Sequence, residues 1–170
     1  MMRLIGAALL VAGSAALGFG AVGRLDGRVR DLQGLLAGVE ALQRELGWRL
    51  ADLSEALELA AGAAGGRPAR FFRLCAGGAA QLEGRSFRQV WQQGLDRCQL
   101  RLDRADREPV EQLGAVLGRY DGDSQRQALE SAAARLELRR AAAAEDRKRL
   151  GRVYGVLGMT AGLFLVILLI

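Results

Sequence analysis

Two long uncharged runs flank a middle segment in which apolar and polar residues alternate at helical spacing. The first run covers residues 4–23 and the second covers residues 153–170. A helix of about twenty residues reaches about 30 Å, which is the thickness of the hydrocarbon core of a membrane. The pattern therefore predicts a transmembrane helix within residues 1–23, a middle domain over residues 24–152 and a second transmembrane helix over residues 153–170.

Within the middle segment, apolar residues recur every three or four positions, which is the spacing of amphipathic helices. We therefore expect an all-α fold, a helical bundle domain between an N-terminal and a C-terminal transmembrane helix. The predicted buried stripes include Val29, Leu32, Leu36 and Val39, then Ala56, Leu57 and Ala60, then Phe71, Leu74, Cys75 and Leu82, then Phe87, Val90, Trp91, Leu95 and Cys98, then Leu113 and Leu117, and last Leu129, Ala132, Leu136, Ala143 and Leu150.

The breaks between these helices carry the usual start and stop signals. Two predicted capping boxes pair Asp52 with Glu55 and Ser86 with Gln89, because an acceptor at the cap and a Glu or Gln three residues later satisfy exposed backbone amides. The glycine-rich stretch 62–68 predicts a break, and Pro109 predicts a helix that follows it. From residue 123 or 124 onward, the pattern predicts one helix that continues into the second uncharged run.

Small residues within both uncharged runs predict helix-packing faces. The letters GFGAVG at residues 18–23 match a dinucleotide-binding fingerprint, but that motif requires a preceding strand, and a long apolar run occupies this place. Small residues instead allow two membrane helices to approach closely. The predicted transmembrane packing residues are Ser14 and Gly18 in the first run, and Gly151, Gly155, Gly158 and Gly162 in or beside the second.

The positive charges predict the orientation, because basic residues beside membrane helices favour the cytoplasmic side. We expect a cytoplasmic middle domain; a cleaved signal peptide and an extracytoplasmic domain form the alternative. Acidic and basic residues are interspersed, so no nucleic-acid partner is expected, although a membrane-tethered nucleic-acid binder stays open. The basic residues beside the runs are Arg24, Arg28 and Arg30, and Arg139, Arg140, Arg147, Lys148, Arg149 and Arg152.

The sequence offers no recognisable site for catalysis. It contains no histidine, the commonest general base, and its two cysteines, Cys75 and Cys98, form no metal-binding spacing. We expect both cysteines to be buried and reduced. The aspartates at positions 121 and 123 are typical of a turn and a helix cap. We therefore predict a protein that is not an enzyme, with no catalytic, cofactor-binding or metal-binding residues.

Four segments give the chain a family resemblance over its whole length. They read LSEALELAA from Leu53, SFRQVWQQGL from Ser86, LGAVLGRYDGDSQ from Leu113 and LGMTAGLFLVILLI from Leu157. The chain resembles the stage III sporulation protein AB family of endospore-forming bacteria. The resemblance implies a multi-pass protein of the mother cell membrane that faces the forespore, within the channel complex between the two cells. It also implies likeness to the cytoplasmic domain of the type II secretion system platform protein F.

The resemblance further implies a partner, the ATPase-like stage III sporulation protein AA, beside other membrane proteins of the same complex. Homo-oligomerisation stays open. Since the apolar stripes are used within the bundle, we expect the ATPase to dock on exposed polar loops that are remote in sequence from the two spans. The predicted docking residues lie in the turn near residue 65 and in the charged connector 101–108: Gly66, Arg67, Arg101, Arg104 and Arg107.

Overall fold

Helices are the only regular secondary structure in the described part of the chain, which confirms the all-α prediction. A computed structural model describes residues 2–49, 52–82, 84–117 and 122–169, with the helical backbone alone at 2–22, 48–49, 152, 154–159 and 161–169. The described elements are α1 (Met2–Arg44), a π-helical turn (Glu45–Arg49), α2 (Leu53–Ala64), α3 (Gly66–Ala80), α4 (Phe87–Cys98), α5 (Arg104–Val116) and α6 (Gly122–Leu169).

The chain divides into two compact units, and the division crosses both of the long helices. One unit comprises Arg28–Ala141, and the other comprises Met1–Gly27 together with Ala142–Ile170. In the second of these, Arg147 of α6 forms an ion pair with Asp26 of α1. The unit at 28–141, called the bundle unit below, contains all of α2 to α5 and one part of each long helix.

The predicted membrane helices fall mostly on residues whose side chains lie outside the described set. Among the residues whose side chains the structure does describe, no helix is long and apolar enough to cross a membrane. At Gly151, no described atom lies within 4 Å of the place that a Cβ would take. The other predicted packing positions lie outside the described side chains: Ser14, Gly18, Gly155, Gly158 and Gly162.

Three phenylalanine side chains packed around Trp91 form the centre of the bundle unit. Trp91 of α4 packs edge-on against Phe71 of α3, with ring centroids 4.7 Å apart, and its indole N–H donates to the carbonyl of Val110 at 2.8 Å. Phe72 and Phe87 lie at centroid distances of 6.2 and 5.8 Å from Trp91. The core predicted from the stripes is confirmed at most positions, including Leu32, Leu57, Phe71, Cys75, Trp91, Leu95, Leu113, Leu117, Leu129 and Leu136.

Glycines let the helices around this core approach closely. A Cβ at Gly38 of α1 would overlap the ring of Phe72, and a Cβ at Gly114 of α5 would overlap the indole of Trp91. Because both clashes would be with rigid rings in a packed core, neither ring can move aside cheaply. The two glycines therefore set how near α1 and α5 lie to the aromatic centre.

Three predicted core leucines are wrong, since Leu74, Leu82 and Leu150 are exposed. In α3, Phe72 enters the groove that Gly38 leaves on α1. This contact turns the buried face of the helix toward Phe72 and Ala76 and turns Leu74 outward. Leu82 follows the end of α3 at Ala80, so it no longer shares the helical register of that stripe.

Several helix boundaries also differ from the predictions. The break at 62–68 shrinks to Gly65, whose φ of +66° is a conformation that glycine tolerates. Asp52 caps α2 by accepting from the backbone amide of Ser54. The capping box of Ser86 and Gln89 is confirmed, with both reciprocal bonds present. The proline at 109 lies inside α5 and does not precede it, because this helix begins at Arg104.

Candidate interaction site

Two charged residues of α1 lie on the same face as its apolar stripe. Arg28 lies four and seven residues before Leu32 and Leu35, and Asp31 lies four residues before Leu35, so the helix turns these side chains toward one face. Asp31 is buried, and the side chain of Arg28 is only 12% exposed. Buried charges of this kind require partners, because an unpaired charge away from water is costly.

The partner of Arg28 is Asp106, a carboxylate with no exposed surface in the first turn of α5. Arg28 donates from Nε to Oδ2 at 2.6 Å and from its terminal nitrogen to Oδ1 at 3.0 Å. Arg139 of α6 donates from Nε to Oδ1 at 2.8 Å, and the backbone amide of Asp103 donates to Oδ2 at 3.1 Å. Asp106, Asp103, Arg28 and Arg139 are called the Asp106 cluster below.

The surroundings of Asp106 keep it ionised. Burial alone would raise the pKa of this carboxyl group. Hydrogen bonds from Arg28, Arg139 and the Asp103 amide, together with the charge of Arg28, outweigh burial and lower the pKa below its ordinary value. Two donors reach each oxygen, so the carboxylate has its main acceptor directions filled. Such a group holds elements together and is poorly placed to accept a substrate proton.

Asp31 forms a second junction one turn further along α1. It accepts from the backbone amide of Arg101 at 2.7 Å and pairs with the guanidinium of Arg67 at 3.2 Å. Arg67 also donates to the carbonyl of Gln99 at 3.5 Å. Two carboxylates, Asp31 and Asp106, therefore join α1 to the start of α3, to the segment before α5, to α5 itself and to α6.

The structure brings the two predicted docking segments together, at a place that the sequence did not indicate. Arg67 and the backbone of Arg101 meet at Asp31 of α1, and Gly66 precedes Arg67 with a φ of +54°. Residues 104–108 were predicted to form a loop, and this prediction is wrong, because Arg104 and Arg107 belong to the helix α5. Asp103 is the N-cap of this helix, and its backbone amide donates to the side chain of Asp106 three residues later, so the helix begins at Arg104.

Arg104 and Arg107 differ in how far they are engaged within the chain. Arg104 is exposed in the first turn of α5. Arg107 pairs with Asp96 of α4 and with Glu111, to whose carboxylate its Nε lies 2.8 Å away. The hydrogen bond to Asp96 is the main reason that the pKa of Arg107 is raised. An arginine held by two carboxylates offers less free charge to a partner than Arg104 does.

The sequence analysis named Arg28 only as a basic residue beside the first uncharged run, and it missed Asp31 and Asp106. A signal for each was present. Arg28 and Asp31 occupy stripe positions at helical spacing from Leu32 and Leu35, where a charge implies a buried partner. Asp103 and Asp106 form an acidic pair three residues apart before an apolar run, which is a capping pattern. Which arginine met which carboxylate required the tertiary structure.

The described residues contain no group of three side chains suited to a metal ion. Cys75 and Cys98 are free thiols, and both are buried as predicted. Burial raises the pKa of Cys75 and, against the opposing charge of Arg70, that of Cys98. Both shifts favour the protonated thiol over the reactive thiolate.

Comparison with known proteins gives a consistent likeness. The family model for stage III sporulation protein AB matches residues 3–170. A solved structure titled Stage III sporulation protein AB is 24% identical, with a TM-score of 0.63, over 72% of this chain and 98% of that chain. At this identity, the solved structure shows likeness of fold alone. No curated protein matches the chain.

Proposed function

Because the chain belongs to the stage III sporulation protein AB family, we propose that it is a non-enzymatic platform in the channel complex between mother cell and forespore. In this role it lies in the mother cell membrane that faces the forespore and docks an ATPase-like stage III sporulation protein AA from the cytoplasm. The observation that carries the proposal is the family match, which extends over residues 3–170.

The geometry of the bundle unit supports a docking role. A platform must hold its docking surface in a fixed position while its partner works. The Asp106 cluster joins α1, α5 and α6 through one carboxylate whose two oxygens each accept two hydrogen bonds. Asp31 of α1 also pairs with Arg67 at the start of α3. Multiple bonds to buried carboxylates restrict how these helices move against each other, because each displacement would leave a buried charge without a partner.

The membrane part of the proposal rests on the sequence. Two uncharged runs, 4–23 and 153–170, are long enough to span, and basic residues lie between them beside each run. This arrangement favours a cytoplasmic bundle unit, on the side where a soluble ATPase would bind. Other membrane proteins of the complex would then contact the small-residue faces of the two spans.

The experiment is a binding measurement between the full-length chain in lipid nanodiscs and purified stage III sporulation protein AA. We expect saturable binding that weakens as salt is raised, since the bundle unit exposes many charged side chains of both signs. Empty nanodiscs serve as the control. Absence of binding at both low and physiological salt, by a chain whose helical content shows that it is folded, would contradict the platform proposal.

A further inference from the structure

The hairpin that α2 and α3 form has an outward face with charges that no other part of the chain pairs. We call eight exposed residues of this surface the hairpin face: Glu55, Glu58, Leu59 and Gly62 of α2, and Arg70, Arg73, Leu74 and Gly77 of α3. Among the described residues, none of the four charged side chains forms an ion pair or a side-chain hydrogen bond. Both leucines are large apolar residues exposed to solvent. These charges and leucines are therefore open to a partner.

One contact sets how the two antiparallel helices are aligned. The hydroxyl of Ser54 donates to the carbonyl of Ala76 at 3.1 Å, and the turn between the helices is at Gly65. Each residue forward along α2 is matched by one residue back along α3, because both helices have the same rise. Glu58 therefore lies level with the residue before Arg73.

On α2, one acid adjoins α3 and the leucine lies at the far edge. Glu58 follows Ser54 by four residues, so it lies on the side of α2 that contacts α3. Leu59 is turned about 100° further around the helix, away from α3. Glu55 lies between these two positions around the helix.

On α3, the order across the face is the mirror of that on α2. Arg73 precedes Ala76 by three residues, so it lies on the side toward α2. Leu74 precedes Gly78 by four residues, and Val90 of α4 packs against Gly78, so Leu74 lies toward α4. Arg70 lies between the two. From edge to edge, the large side chains are therefore leucine, acid, acid, base, base and leucine.

Each helix of the hairpin face also has a glycine that packing within the chain does not explain. Gly62 lies within α2 and Gly77 within α3, and no described atom lies within 4 Å of the place that a Cβ would take at either. Glycine within an exposed helix is less stable than alanine. At Gly78, by contrast, the side chain of Val90 fills the space. Gly62 and Gly77 therefore leave two hollows on the face.

We infer that a second copy of this chain docks on the hairpin face, about a two-fold axis that runs along the hairpin between α2 and α3. Such an axis places α2 of each copy over α3 of the other and keeps every residue at its own level. Glu58 of each copy then faces Arg73 of the other, so charges of opposite sign alternate around the axis. Leu59 of each copy lies near Leu74 of the other at the two edges.

The same rotation places charged side chains opposite the hollows. Arg70 of one copy comes within about 3 Å, along the axis, of the level of Gly62 in the other. Glu55 comes equally near to the level of Gly77. Four long side chains therefore stand opposite glycines, where a larger residue would hold the two copies apart.

Self-complementarity is the reason for a second copy as the occupant. The acids and bases of the hairpin face exchange places under a two-fold rotation, so a second copy presents the opposite charge at each position. Nucleic acid and anionic lipid present only negative charge, which Glu55 and Glu58 would repel.

The direction of the axis suits two copies in one membrane. Gly34 of α1 lies against Pro68 and Gly38 lies against Phe72, so α1 and α3 run side by side in the same direction. An axis along the hairpin therefore keeps the start of α1 within the bundle unit at the same end in both copies. Two chains that cross one membrane in the same orientation need this arrangement.

The hairpin face is small for a dimer in solution. Helices of 12 and 15 residues cover about 20 Å by 20 Å, so each copy would bury about 400 Å², half of the about 800 Å² that stable interfaces bury. A shared membrane raises the effective concentration of the two copies. The inference therefore rests on the membrane part of the proposed function, and association should be much weaker in detergent than in a bilayer.

Energy transfer between labelled copies tests the inference in liposomes of phosphatidylethanolamine and phosphatidylglycerol. The full-length chain with Gln92→Cys, at an exposed position of α4, takes a donor or an acceptor dye. The chain without this substitution checks that the buried thiols of Cys75 and Cys98 take no dye. At a low ratio of protein to lipid, donor and acceptor copies together should give transfer, and an excess of unlabelled chain should reduce it.

Single charge reversals should remove this transfer, and mixing them should restore it. Glu58→Arg makes all four charges around the axis positive and Arg73→Glu makes them negative, so each should weaken association by about tenfold or more. A mixture of the two variants should regain transfer, because each copy then faces opposite charges on the other. The matched controls are Glu130→Arg of α6 and Arg104→Glu of α5, which are exposed, lie outside the hairpin face and should keep the transfer.

Gly77→Leu gives a second readout that does not depend on charge. It should raise the melting temperature, since leucine forms helices better than glycine and the position is open. It should nevertheless lower the transfer, because the new side chain fills the hollow opposite Glu55 of the other copy. Ala134→Leu, at an exposed position of α6, is the control and should leave the transfer unchanged. Full transfer by a folded Gly77→Leu variant would contradict close contact at this face.

The remaining outcomes separate the inference from the proposed function. The inference is overturned if the chain in liposomes gives no transfer, if both charge reversals keep it, or if their mixture does not restore it. In each of these cases, ATPase binding in nanodiscs would still support the platform. Flotation with the liposomes checks the membrane part first: a chain that does not float contradicts that part, and the inferred dimer fails with it.

Discussion

The two ends of α5 are held by opposite kinds of interaction. Its second half packs against Trp91, with Gly114 against the indole and the Val110 carbonyl bonded to the indole N–H. Its first turn is held by Asp106, which two arginines and a backbone amide surround. Both anchors are fully buried. The Trp91 contacts remove apolar surface from water, and the Asp106 contacts pair a buried negative charge with two arginines.

This contrast separates stability from positioning. Burial of an aromatic side chain is strongly favourable in itself, at about 25 cal/mol per Å² of apolar surface. A buried ion pair recovers little beyond the cost of removing its charges from water, but removing one partner is expensive. We therefore expect the Trp91 contacts to supply most of the stability and the Asp106 cluster to fix where α1, α5 and α6 meet.

The largest expected effect is at the aromatic end. Trp91→Ala should lower the free energy of unfolding by about 3–5 kcal/mol, because it leaves a cavity among Phe71, Phe72 and Phe87. It also leaves the Val110 carbonyl without its indole donor. Urea unfolding of the full-length chain in detergent, followed by circular dichroism, measures the change. The control is Leu59→Ala at an exposed position; equal losses for the two variants would contradict the placement of the core.

A smaller effect, with a distinctive pH dependence, is expected at Asp106. Asp106→Asn should cost about 2–3 kcal/mol at neutral pH, less than a fully buried pair, since Arg28 and Arg139 remain 12% and 35% exposed. The lowered pKa of Asp106 means that its stabilisation is fully present above the unfolded pKa of about 3.9 and is lost as pH falls through the folded pKa.

The same urea measurement, repeated in acid, checks this sign. The unchanged chain and the Asp106→Asn variant should differ clearly at neutral pH and converge below about pH 4, as the carboxylate becomes protonated. The Trp91→Ala variant should instead keep its deficit at every pH, because no titrating group is removed. A difference between the Asp106 variant and the unchanged chain that grows in acid would show that the cluster does not depend on the charge of Asp106.

The smallest effect is expected at the surface of α5. Arg107→Gln removes the pairs with Asp96 and Glu111, yet all three side chains are well exposed to solvent. Exposed ion pairs contribute about 0.2–1 kcal/mol and are screened by salt. Thermal unfolding at low and high salt should therefore show a small loss that disappears as salt is raised. A loss as large as that of Asp106→Asn would place Arg107 in the buried framework.

The apolar anchor of α5 could be predicted from the sequence, whereas the partners of the buried charges could not. Helical spacing identified Trp91, Phe71 and Cys75 as core positions, because a helix that is buried on one side has apolar residues at every third or fourth position. The same spacing wrongly predicted that Leu74 is buried. Its exposure follows from the contact of Phe72 with Gly38 of α1. The sequence of α3 alone does not show which residue of a distant helix it will contact.

The partners of buried charged residues cannot be predicted from the sequence for a related reason. An arginine in the sequence is equally compatible with a solvated surface and with a buried pair, and Arg28 lies among many other arginines. Its partner is 78 residues away.

The sharing of Asp106 also sets an order of events during synthesis. Its two arginines lie 78 residues before it and 33 residues after it in the chain. Ribosomes add about 5–20 residues per second, so Arg28 emerges several seconds before Asp106, and Arg139 follows later still. The nascent protein can therefore assemble α2, α3 and α4 from neighbouring segments first. The joint with α6 closes last, after Arg139 has been made.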